Sequence, residues 1–102
     1  MTHWIRLGPP WEVSPTDDGR SRHRRRFGRP RTLDAEERVW LVADSRSMKF
    51  EVTVNGEFVG AGEPGPFAAD ITNLLNLRNE VVFVIPSDAS LGEIALEIRA
   101  KG

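Results

Sequence analysis

Two groups of residues in this 102-residue chain have the chemistry to hold a ligand: tryptophans interspersed with acids, and a run of arginines. In the segment GPPWEVSPTDDGR, Trp11 is followed by Asp17 and Asp18. An indole face stacks on the apolar side of a pyranose ring while carboxylates accept hydrogen bonds from its hydroxyls. Loops at one edge of a rigid scaffold are where such groups converge. Arg46, Glu63 and Asp88 stand in other turn-rich segments, and together the six make a candidate saccharide site. The same Trp11, behind Pro9-Pro10, also suits a cover over the open end of a core.

The arginines lie in residues 20–31, RSRHRRRFGRPR, which hold seven of them and no acid. The chain has 14 basic and 15 acidic residues, so the other ninety positions carry seven bases against fifteen acids, a balance of −8. Arginine favours bidentate pairing with carboxylate or phosphate. Arg22, Arg24 and Arg26 alternate as the outer face of a strand would, where acids of neighbouring strands can neutralise them. The alternatives are a bound anion or a mobile, partly disordered basic loop. Only Phe27 supplies a stacking surface among them, and the acidic body repels a polyanion, which argues against a nucleic-acid partner.

What is missing narrows the chemistry further. Without cysteine there is no disulfide, no thiolate nucleophile and no cysteine-held zinc. His3 and His23 are too few and too far apart for a metal site, so neither metal nor cofactor is expected. Phosphate-loop, dinucleotide and serine-hydrolase motifs are lacking. Neighbours such as Asp17-Asp18 or Glu36-Glu37 point to opposite faces of a strand and cannot flank one bond, so the chain is not expected to be an enzyme. No apolar run approaches the roughly 18 residues of a membrane helix. The opening MTHWIRLGPPWE lacks a secretory signal's apolar stretch, and the expectation is a cytoplasmic protein.

The elements that would position these residues are strands. In MKFEVTVNGEFVG, Phe50, Val52 and Val54 alternate with Glu51 and Thr53 before Asn55-Gly56, a pair that supplies the two positive φ angles of a type I′ turn. A hairpin is predicted, with Glu57 to Val59 as its return arm. RVWLVAD (38–44) and NEVVFVI (79–85) read as central strands, the second closed by Pro86. Residues 92–100 and Trp4 to Leu7 alternate as half-buried strands, the former near an edge. Only ADITNLLNL departs from this period, as a turn capped by Thr72. The predicted core is Ile5, Leu7, Phe27, Val39, Leu41, Phe50, Val52, Val54, Phe67, Ile71, Leu74, Val82, Val84, Ile94 and Leu96. Seven or eight short strands specify one all-β domain over residues 1–102, a two-layer antiparallel sandwich.

The order of motifs adds a resemblance. Arg26-Phe27, Arg38-Val39-Trp40-Leu41, the stretch from Val52 to Gly60, Phe67-Ala68-Ala69-Asp70-Ile71-Thr72-Asn73-Leu74-Leu75 and Asn79-Glu80-Val81-Val82-Phe83-Val84 succeed one another over residues 24–98. This resembles the galactose-binding-like jelly roll, the N-terminal sugar-binding domain of β-galactosidases and β-glucuronidases. The resemblance implies a jelly-roll sandwich and an association with carbohydrate. It carries no catalytic residue, because those enzymes keep their carboxylates in a separate barrel. Leu77-Arg78 stand where the family has a glycine shortly before Asn79, so that turn is built differently here.

Two functions follow. One is a non-catalytic module with weak affinity for a sugar. The other is a structural or protein-interaction domain without a sugar ligand, self-association included, docking through Trp4, Trp40 and Phe58.

Overall fold

The computed structural model describes residues 3–30, 33–45, 49–62 and 65–100. Their strands are β1 (His3–Arg6), β2 (Glu12–Pro15), β3 (Arg20–Gly28), β4 (Glu37–Ser45), β5 (Phe50–Val54), β6 (Glu57–Gly62), β7 (Gly65–Asp70), β8 (Arg78–Pro86) and β9 (Ile94–Ala100). They form two antiparallel sheets, β1-β9-β4-β7 and β2-β3-β8-β5-β6, packed as a jelly-roll sandwich.

Alternation decides what the sandwich buries. Val39, Leu41, Leu96 and Ile98 come from one sheet and Phe50, Val52, Val54 and Phe83 from the other, all essentially without solvent contact. Phe50 sits at the centre, edge-on to Phe67 at 5.0 Å and tilted against Phe83 at 5.5 Å. The hairpin forms as its sequence requires, with Asn55 at φ 52° and Gly56 at φ 82°. Its return arm is longer than expected and reaches Gly62 after a bulge opposite Val52 and Thr53.

Several expectations need correction. In β8 the buried apolar residues are Val81, Phe83 and Ile85, not Val82 and Val84. The run is apolar at every position, so its own pattern cannot set its phase. The neighbouring strand does, by placing Val84 opposite outward-facing Arg22. Strand β9 lies next to the edge strand β1, as expected, and is itself paired on both sides, by β1 and β4. Leu75 is buried, while Leu74, Ile5 and Phe67 pack only partly against the core.

The 3-10 turn Thr72–Leu74 is not capped by Thr72. Asp70 Oδ1 accepts from the Thr72 N–H at 3.0 Å and from its hydroxyl at 2.7 Å. That leaves Thr72 Oγ1 to accept from Val39 N–H at 2.7 Å, which pins the turn to β4.

The turn before Asn79 is built by the Asn79 side chain. Its Oδ1 accepts from Asn76 N–H at 2.7 Å and its Nδ2 donates to Asn76 O at 3.0 Å, which closes the turn without a glycine before Asn79. Asn55 Nδ2 donates to the same Oδ1 at 2.9 Å and to Leu74 O at 2.8 Å.

Two substitutions check this account. Gly56→Val should destabilise the protein by more than about 1 kcal/mol, because the space around Gly56 is open and the cost is the positive φ alone. Asn79→Ala, which removes one of the two bonds made by Asn55 Nδ2 and leaves the Asn76 backbone groups without their partner, should cost about 2–3 kcal/mol. Denaturant midpoints read both, and an unchanged midpoint in either variant contradicts the corresponding assignment.

Candidate functional site

The first group to place is the six-residue loop site. Arg46 and Glu63 lie outside the described residues. Asp17 and Asp18 occupy the β2–β3 turn, and because Arg20 opens β3 opposite Pro86, Asp88 belongs to the same end of the five-stranded sheet. Trp11 is not with them. The whole of β2, about 13 Å of extended chain, separates it from that turn. Its ring stands edge-on to Phe83 at 6.1 Å, and its Nε1–H donates to Leu7 O at 3.3 Å. The indole is half-buried on the core and its polar handle is already used.

The arginines are largely satisfied within the molecule. Arg20 bonds Asp18 Oδ2 through Nε at 2.8 Å and reaches Glu51 at 3.1 Å. Arg24 pairs with Glu12 and lies 3.5 Å from Glu80, which Arg26 approaches at 3.9 Å. Arg25 and Arg29 donate to the carbonyls of Gly8 and Leu75. Arg22 is exposed and makes no ion pair among the described residues. His23 is partly buried, and that burial lowers its pKa.

Trp4, Trp40 and Phe58 do not form one surface. Phe58 pairs with Thr53 on the five-stranded sheet, whereas Trp4 and Trp40 flank Glu97 in one cross-strand row of the four-stranded sheet. That row, Trp4–Glu97–Trp40–Asp70, runs across the outer face, with Arg6–Ala95–Val42–Ala68 beside it. Cross-strand neighbours have Cβ atoms about 5 Å apart, so each row is continuous. The small side chains of the second row floor a depression of about 590 Å³.

Its walls carry the polar chemistry. Trp4 remains 57% exposed. Glu97, 8% exposed, accepts from Arg99 Nε at 2.6 Å, and the Arg99 guanidinium lies 4.3 Å from the Trp40 ring centre. Stacked and paired, Arg99 is held in one orientation. On the other wall Arg6 and Glu93 meet at 3.4 Å. An accessible indole therefore stands beside an oriented carboxylate and guanidinium, over an apolar floor. A second depression, about 490 Å³, lies beside Trp11, His23, Arg6 and Glu93, but it has no exposed ring.

The loop-centred expectation missed Glu97, Arg99, Arg6 and Glu93. The signal for Glu97 and Arg99 was present in the alternation of IALEIRA, whose outward positions are Ala95, Glu97 and Arg99. Among the described residues no group of three or more His, Asp or Glu side chains is placed to hold a metal ion.

No protein-family model matches the chain, and no curated protein matches it. Solved structures do share its fold. The β-D-glucuronidase of Dictyoglomus thermophilum superposes over 98% of this chain at a TM-score of 0.83 with 14% identity, using 28% of its own length. An FMN-binding β-glucuronidase from Faecalibacterium prausnitzii gives 0.80, 18%, 98% of this chain and 23% of its own. A β-glycosidase from Bacteroides vulgatus gives 0.66 and 22% over 80% of this chain and 12% of its own. The chain thus spans about a quarter of the glucuronidases it matches and has the fold of one of their domains, the jelly roll its motif order resembles.

The pairing of Asp18 has a measurable consequence. Hydrogen bonds from Arg20 and Thr16 hold its carboxyl down at about 2. A group depressed in the folded state stabilises above its unfolded pKa, roughly 4, and loses that contribution as pH falls through the folded value. Carboxyl carbon shifts followed by NMR should place the Asp18 midpoint near 2. Arg20→Gln should raise it toward the ordinary carboxylate range, and an unmoved midpoint would remove Arg20 as its cause.

Proposed function

We propose that this chain is a non-catalytic carbohydrate-binding module whose site is the outer face of the four-stranded sheet. The observation that carries this is the exposed Trp4 ring beside the fixed Glu97–Arg99 pair, above the floor of Ala95, Val42 and Ala68. Pyranoses present an apolar face and a rim of hydroxyls. The indole and floor cover the first, and carboxylate oxygens with spare lone pairs and guanidinium N–H groups meet the second. The fold shared with β-glucuronidases supports the association with saccharides. A shallow open site desolvates little of a ligand, so affinity is near millimolar, about −4 kcal/mol.

The competing protein-docking role gains less from the surface. Among the described residues the large exposed apolar side chains are dispersed: Trp4 on one outer face, Phe58 on the other, Val13 on β2 and Leu77 in the turn before β8. No single patch collects them.

Trp4→Ala and Trp11→Ala separate site from core. Trp4→Ala should abolish measurable sugar binding and shift stability by less than about 0.5 kcal/mol. Trp11→Ala should destabilise by about 2–3 kcal/mol, the loss of a partly buried ring. Glycan-array screening and calorimetry on the two variants test this. Undiminished binding by the Trp4 variant would take the site off this face, and an array without hits would favour the docking role.

A further inference from the structure

Resting on the saccharide reading above, we infer that the trough takes the interior of an uncharged linear oligosaccharide laid across the strands, not a terminal sugar. The depression draws its lining from all four strands: Trp4 and Arg6 on β1, Ala95 on β9, Val42 on β4, and Pro66 and Ala68 on β7. Its floor includes an in-register row, Arg6–Ala95–Val42–Ala68, that crosses all four strands, and its lining also runs along β9 from Ile94 to Arg99. Three strand spacings of about 4.8 Å give a length of about 14 Å, enough for about three pyranose rings. A pocket for a terminal sugar needs a closed end. Both ends of this row run out on edge strands, β1 and β7, beyond which the sheet has no further strand.

Charge selects an uncharged chain. Among the described residues the arginines on this face are each matched by a carboxylate: Arg6 with Glu93 at 3.4 Å, Arg99 with Glu97 at 2.6 Å and Arg38 with Asp70 at 2.8 Å. A uronate entering here meets carboxylates alongside every guanidinium, and binding it means disrupting a pair. Hydroxyls need no such exchange. They donate to unused carboxylate lone pairs and accept from unused guanidinium N–H groups.

The test is calorimetric titration of the full chain with glucose, cellobiose, cellotriose and cellotetraose, the matching xylose and galactose series, and oligogalacturonides. At least one neutral series should gain about tenfold or more in affinity from monosaccharide to trimer and then level off. Reducing the chain end to the alditol should leave affinity within about twofold. Ala68→Leu, at the β7 end and exposed, should weaken the trimer while sparing the monosaccharide and the melting temperature. Equal affinity for monosaccharide and trimer, loss of binding on reduction of the chain end, or tighter binding of the uronides would overturn this inference and leave the saccharide reading standing. No binding by any series would overturn both.

Discussion

A buried amide holds the sandwich together at one end. Asn79 is 3% exposed, and it bonds the Asn55 side chain, both backbone groups of Asn76 and the Phe27 carbonyl at 3.5 Å. Asn55 completes the circuit, accepting from Glu80 N–H at 2.9 Å and donating to Leu74 O at 2.8 Å. Three adjacent strands of one sheet and the crossover from the other are thereby joined. A buried amide with partners missing costs as much as the bonds it fails to make, so these contacts form together. The crossover needs such an anchor. Every pairing in the four-stranded sheet, β1 with β9, β9 with β4 and β4 with β7, is between strands distant in sequence. No hairpin fixes its register. Thr72, bonded to Val39, and Leu74, bonded to Asn55, carry the register of the five-stranded sheet across to β4.

That difference between the sheets explains what could be read from the residues alone. The Asn55-Gly56 hairpin was legible because turn chemistry and alternation are local. The strands at 38–44 and 79–85 were legible as central, since both are apolar throughout. The phase of the second was not, because a uniformly apolar run buries whichever face its neighbours dictate. Asp70 was assigned alongside Thr72 to the turn, yet that Thr72 does not cap it follows from its hydroxyl being drawn away to β4. The candidate site was least legible. Trp4 and Glu97 are opposed in register at opposite ends of the chain, and only the topology makes them neighbours.

The two outer faces divide the chemistry between them. On the five-stranded sheet, Arg20, Arg24 and Arg26 are matched to Asp18, Glu12, Glu51 and Glu80. Exposed pairs of this kind contribute about 0–1 kcal/mol each, so their effect is on arrangement more than on stability. The Glu12–Arg24 contact holds the four-residue edge strand β2, whose residues are all exposed, against β3. Three arginines of the dense positive run are thus paired with carboxylates, while Arg22 stays exposed without an ion pair among the described residues.

On the saccharide reading proposed above, the outer face of the four-stranded sheet would solve a different problem. A single exposed ring and a shallow floor yield little binding energy, and any of it spent on ordering side chains is lost to the ligand. Arginine is among the costliest side chains to order. Here Arg99 is ordered before anything binds, by the Trp40 face below it and the Glu97 carboxylate beside it. Glu97 is in turn confined between two tryptophans in register, with its side chain only 10% exposed. The polar groups that would meet hydroxyls are therefore rigid although they sit on an open surface, and the small residues next to them leave the space for a ring to lie flat. Weak affinity and preset geometry are compatible on such a face, because the first follows from the area covered and the second from the strand register.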